Sequence, residues 1–174
     1  TAYKLGDVLT ARDGTTVEVK NTDAEGRIVM MDAIALAVEE GVDAIIDIAT
    51  LTGAALMALG QLTAPVLGND QRVVDLTLAA SAVTGEPLWQ LPLERKYRPQ
   101  LDSDVADLAN IGGRYAGATT AALFLDHFTR KTPWAHLDIA GTMAVDADES
   151  WRSKGATGFG ARLLLETALT FTKA

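Results

Sequence analysis

Apolar positions along the chain switch between two periods. Residues 16–20, "TVEVK", alternate polar and apolar side chains as a strand does, behind the turn signal "RDGT". From Arg27 onward, Ile28, Met31, Ile34, Ala35 and Val38 recur on one helical face, and Gly41 stops the run. Residues 44–49, "AIIDIA", predict a compact strand. After the loop "TLTG" comes a short helix of small residues over 54–59, ended by Gly60. Residues 64–67 predict another short strand. Asn69 or Asp70 can cap the helix that follows, with Val73, Val74, Leu76, Ala80 and Val83 turned inward and Gly85 just past its end. Residues 87–113 carry Trp89, Pro92, Pro99 and several aspartates with no clear period, and predict long loops. A helix over 119–129, a strand over 134–139 ("WAHLDI") and a closing helix over 159–171 complete the pattern.

Nearly apolar strands separated by helices are covered on both faces. The expected fold class is α/β: a three-layer α/β/α domain around a mostly parallel or mixed sheet. Ligands in such folds sit in loops leaving the carboxyl ends of strands. Three loops qualify here: "NTDAEGR", "TLTG" and "AGTM".

Composition narrows the chemistry. With 174 residues, 48% hydrophobic and 22% charged, the chain suits one domain with a substantial core. It has no cysteine, which removes thiol catalysis, disulfides and cysteine-bound zinc. A net charge of −8 without a basic stripe argues against nucleic acid. The longest apolar runs are far too short for a membrane span, and no signal-peptide pattern opens the chain, so a cytoplasmic location is the expectation. No G-x-S-x-G, H-E-x-x-H or phosphate-loop motif occurs. His127 and His136 stand apart in sequence and read as packed or half-exposed imidazoles. "GGRYAGATT" reads as a turn followed by close helix packing.

Carboxylates remain. Asp23 and Glu25 lie where a strand gives way to a helix, a place where oxygen ligands can converge on a divalent cation. Arg27 follows closely enough to hold an anion with its planar fork of donors. The same residues also suit an ordinary helix start, with Thr22 or Asp23 as cap, Glu25 at the positive end and Arg27 paired to an acid. D-x-E-x-R is too short to decide between these. Asp47 and Asp138 interrupt apolar strands; each reads as a structural acid held by backbone hydrogen bonds or as an acid that orients a site residue, the structural reading being preferred, as it is for Asp32 in the first helix.

Taken together, the motifs form one pattern. "NTDAEGR" at residues 21–27 resembles the signature region of the leucyl aminopeptidase family, the cytosolic dinuclear-metal aminopeptidases. The resemblance continues in register through "MMDAIALA", "DIATLTGAALMALG", "GGRYAGATTAALFL", "WAHLDIAGT" and "KGATGFGARLL", so it covers essentially the whole chain. It implies a metal-dependent release of N-terminal residues, leucine favoured, from peptides with a free N-terminus, through a metal-bridging water. Two divalent ions are implied, zinc or manganese, with magnesium or cobalt as substitutes. By motif, Asp23 would bind one ion and Glu25 would bridge both. Arg27 would have a catalytic role, holding a bicarbonate-like anion. Thr50, Leu51 and Gly53 would contact substrate, and Ala140 and Met143 would complete an apolar side-chain pocket.

Family members assemble as hexamers and carry an upstream block with two lysines and two aspartates, which has no counterpart here. The chain is therefore expected to be a single domain, the C-terminal portion of a catalytic domain. The first metal-ligand block and the N-terminal regulatory domain would be absent, leaving two of five metal ligands and no activity for these residues alone. The alternatives are a non-catalytic oligomeric scaffold, or the DNA-binding architectural role of some relatives, and a metal phosphohydrolase.

Overall fold

A computed structural model describes residues 2–172. Four strands make the central sheet, in the order β3 (Ile45–Ala49), β7 (Trp134–Asp138), β4 (Ala64–Gly68) and β5 (Leu88–Gln90). β3 and β7 are parallel, β4 runs against β7, and β5 is parallel to β4, so the sheet is mixed. A smaller sheet joins β1 (Val8–Thr10), β2 (Thr16–Glu18) and β6 (Leu108–Ala109), and β8 (Ala144–Val145) pairs with β9 (Gly155–Ala156).

Strand alternation builds two cores, one on each side of the central sheet. Ile45, Leu67 and Trp134 face α1 (Glu25–Glu39) and α4 (Gly117–Phe128) in a core that includes Ile28, Met31, Phe124 and Phe128. The neighbouring positions Val66, Ala135 and Leu137 face the other way, with Val73, Val74 and Ala80 of α3 (Gln71–Thr84) and Leu163 of α5 (Ala161–Thr170). The result is the expected α/β class with helices on both faces. α2 (Gly53–Leu59) packs against α4, where Gly117 leaves room for Ala54: a Cβ on Gly117 would lie 2.9 Å from that side chain. The close helix packing expected of "GGRYAGATT" is present.

Several expectations are corrected. Residues 87–113 are not simply loop: they hold β5, a 3-10 turn over Arg95–Leu101, and β6. Their strands are only two or three residues long, too short to show a period. β1 has the same excuse. Val83 is exposed, and the inward face of α3 is completed instead by Thr77 and Ser81. Each of these turns its hydroxyl to a carbonyl, Thr77 to Val74 and Ser81 to Glu86, and so can be buried. Asp70 is the cap of α3, accepting from the Arg72 N–H, and Gly85 closes the helix in the left-handed region at φ 67°. Asp32 is exposed and accepts from the Arg12 N–H at 2.8 Å, tying the β1–β2 turn to α1. No helix among the described residues is long and apolar enough to cross a membrane.

One tight approach between layers is at Gly68, at the end of β4, where both the sheet backbone and α3 crowd the Cα. A Cβ there would lie 2.5 Å from the Trp134 carbonyl and 2.6 Å from Val74 Cγ2. Gly68→Ala is therefore expected to destabilise the fold by about 1–3 kcal/mol through overpacking, measured by denaturant unfolding. An unchanged midpoint would contradict the close packing of α3 on the sheet.

Candidate active site

The loop between β2 and α1 is shaped by one buried side chain. Asn110, just past β6, accepts from the backbone N–H groups of Lys20 (2.8 Å) and Asn21 (3.1 Å). Its amide donates to the Asn21 carbonyl at 2.6 Å and, more weakly, to that of Ala24 at 3.4 Å. Only an amide side chain offers both donor and acceptor in this fork. Asn21 then accepts from the Asp23 N–H at 2.9 Å. The loop is thus held from beneath by its backbone, leaving its acidic side chains unused. Sequence reasoning passed over Asn110, because the two-residue strand before it carries no pattern; the one cue was an amide following the apolar pair Leu108–Ala109.

Asp23 and Glu25 are exposed, and their carboxylates make no hydrogen bond or ion pair among the described residues. The helix-start alternative holds for Glu25, which stands on the first turn of α1, but not for the cap. The N-cap is Ala24, no side chain caps α1, and neither Thr22 nor Asp23 fills that role. Arg27 turns inward and is only 6% exposed. Its Nε and Nη1 are buried with no hydrogen-bond partner among the described residues. Burial lowers its pKa to about 10, against the opposing pull of the Asp138 charge, so it remains a cation at neutral pH.

Arg27 comes down over a polar patch on the central sheet. Asp47 and His136 face each other across the β3–β7 ladder, and Ala49 pairs with Asp138 one step further. The alternation that sends Trp134 to the α1 side sends His136 and Asp138 there too. Asp47 accepts from Trp134 Nε1 at 2.5 Å and forms a close ion pair with His136 Nδ1. His136 is therefore packed, as its sequence reading had it, yet it is not alone. His127 is half-buried, 3.3 Å from the Thr15 hydroxyl and edge-on to Phe128.

Asp138 is fully buried and structural in the expected sense. One oxygen accepts from the N–H groups of Leu51 (3.1 Å), Thr52 (3.2 Å) and Ala140 (3.2 Å), and the other from the Thr52 hydroxyl (2.6 Å). The carboxyl ends of β3 and β7 lie side by side, so "TLTG" and "AGTM" leave the sheet together. Leu51 and Ala140 are half-buried, while Thr50, Gly53 and Met143 are exposed. Leu51 also reaches the third loop: a Cβ on Gly26 would lie 3.2 Å from its Cδ1. The three loops expected to carry ligands are thus adjacent. A cleft of about 300 Å³ lined by Arg72, Val73, Pro133 and Phe171 lies elsewhere, at the amino ends of β3 and β7, and includes none of these residues.

The catalytic-domain profile of the cytosol aminopeptidase family matches residues 1–165. The chain belongs to that family. The probable cytosol aminopeptidase of Synechococcus sp. (strain JA-3-3Ab) is 51% identical over 168 residues, 97% of this chain and 33% of the relative. That of Geobacter sp. (strain M21) is 51% identical over 165 residues, 95% of this chain and 34% of the relative. The probable cytosol aminopeptidase of Alkaliphilus metalliredigens (strain QYMF) is 47% identical over 99% of this chain and 34% of its own length. The chain thus spans about a third of the length of these relatives. Among its described residues, no three His, Cys, Asp or Glu side chains gather to hold a metal.

The buried pair beneath the site has a pH signature. Burial disfavours a charged imidazole, but the facing Asp47 carboxylate, its hydrogen bond and Asp138 outweigh that, raising the His136 pKa above 6.5. A histidine whose pKa is higher folded than unfolded contributes its full stabilisation below about 6.5 and loses it as pH rises through the folded value. The thermal midpoint should therefore fall as pH climbs through that range, and Asp47→Asn should abolish or reverse the slope. The same slope in Asp47→Asn as in the wild type would contradict the pairing.

Proposed function

We propose that the complete protein is a metal-dependent aminopeptidase that releases N-terminal residues, leucine favoured, from peptides with a free N-terminus. The observation that carries this reading is Arg27: a buried cation with unused donors, two residues from Glu25 and four from Asp23, both exposed and unpaired, in a chain of the cytosol aminopeptidase family. Buried guanidinium donors without partners are unfavourable for stability alone, and an anion at the site accounts for them.

The donor set present fits part of a dinuclear centre. Asp23 and Glu25 offer hard oxygen donors suited to divalent cations, zinc or manganese with magnesium or cobalt as substitutes, and nothing among the described residues competes for them. They would hold the ions together with ligands from outside these 174 residues, the chain being the C-terminal portion of the catalytic domain. When bound, such ions activate a water and polarise the scissile carbonyl. Glu25 sits on the first turn of α1 and Asp23 in the clamped loop before it, so both are fixed by backbone instead of being free to wander.

Arg27, through its unused Nε and Nη1 donors, would hold a bicarbonate-like anion, and such an anion would supply a base for the attacking water. The backbones of Thr50 and Leu51, with Gly53, line the substrate's path, and Ala140 and Met143 give an apolar pocket for its first side chain. Such a pocket favours leucine but discriminates only modestly among apolar residues. A cytoplasmic homo-hexamer that binds neither nucleic acid nor membrane completes the reading, in keeping with the net charge of −8.

Full-length protein should hydrolyse leucine amide, lose activity on chelation and regain it when zinc or manganese is restored. Glu25→Gln should remove that metal-dependent activity, and the isolated 174 residues should show none. Full activity in Glu25→Gln, or in chelated protein, would contradict the assignment.

A further inference from the structure

Asp138 occupies a position that none of the ligand-bearing motifs explains. It ends β7, it is wholly buried, and its two oxygens accept from four donors that belong to two separate loops. The N–H groups of Leu51 and Thr52 come from "TLTG", and that of Ala140 from "AGTM". The Thr52 hydroxyl is used twice. It donates to Asp138 and accepts from the Ala55 N–H at 3.0 Å, capping α2. One carboxylate therefore fixes the start of α2, the backbone of one loop and the first turn of the other.

This acceptor-only chemistry cannot be matched by a neutral isostere. An asparagine would present an amide to the Thr52 hydroxyl and leave that hydroxyl's proton without an acceptor. The buried charge is supported by its donors and by the Arg27 cation, whose electrostatic interaction with Asp138 opposes the effect of burial.

We propose that Asp138 is a positioning residue for the aminopeptidase reaction, setting selectivity for the substrate's first side chain by holding the Leu51–Thr52 and Ala140 backbones in fixed relation. The proposal rests on the aminopeptidase reading and extends it to a residue that touches no substrate. If the two loops drift apart, the apolar pocket between them loosens. A loose pocket forfeits the contacts that separate a leucine from an alanine side chain.

The test compares leucine amide with alanine amide as substrates of the full-length metal-loaded protein, reading kcat and KM for each. Thr52→Val removes the hydroxyl while keeping shape, and should lower the leucine-over-alanine ratio of kcat/KM by about tenfold, mainly through the KM for leucine amide. Thr52→Ser, which retains the hydroxyl, should recover the ratio. Asp138→Asn should lower it as well; should that variant fail to fold, the Thr52 pair carries the test. A loss of folded protein alone would reduce both substrates equally and leave the ratio untouched. An unchanged ratio in Thr52→Val with an active wild type overturns the positioning role and spares the aminopeptidase reading. A wild type that hydrolyses neither amide overturns that reading and the positioning role with it.

Discussion

Placing Asp47, His136 and Asp138 on one face of an otherwise apolar sheet is the constraint on which the rest of this structure depends. Each ionised group taken from water costs several kcal/mol unless it is paired and hydrogen-bonded. The fold meets that demand in three different ways. Asp47 is held by Trp134 and His136, Asp138 by backbone and hydroxyl donors. Arg27 adds a positive charge from α1 and keeps donors in reserve. Among the described residues of this patch, Arg27 Nε and Nη1 and His136 Nε2 are buried without a hydrogen-bond partner, and stability alone does not explain them.

That patch lies directly beneath the loops. β3 and β7 are parallel neighbours, so their carboxyl ends deliver two loops to one edge, and Leu51 meets Gly26 of the third. Rigid elements carry each one: the Asn110 fork fixes the loop before α1, and Asp138 fixes the other two. Sites supported in this way hold their geometry because the supporting side chains, Asn110 and Asp138, are themselves buried. The acidic side chains left outward, Asp23 and Glu25, are then free to act on something other than the fold.

Long periodic elements were legible in the sequence; of the short ones, β2 and α2 were legible and others were not. α1, α3 and α4 announce themselves through apolar spacing, and the strands of "AIIDIA" and "WAHLDI" through runs of burial. β1, β5 and β6 do not, since two or three residues cannot display an alternation. Asp23, Glu25 and Arg27 were visible as chemistry, but spacing left them ambiguous with a capped helix start. Geometry favours the site, by giving the cap to Ala24 and burying Arg27 Nε and Nη1 without a hydrogen-bond partner. Asp47 and Asp138 were legible as structural acids because a carboxylate inside a strand must find donors. Apart from Ala140, their partners were not, because these lie 86 to 89 residues away in sequence and only the register of β3 on β7 brings them together.

The central claim is that Arg27 is buried to hold an anion for the reaction. It is tested most directly by the rate of leucine amide hydrolysis in full-length metal-loaded protein at controlled bicarbonate. The wild-type rate should rise with bicarbonate and saturate, while Arg27→Ala should be slower by about a hundredfold and insensitive to it. Equal bicarbonate dependence in both proteins would contradict the account.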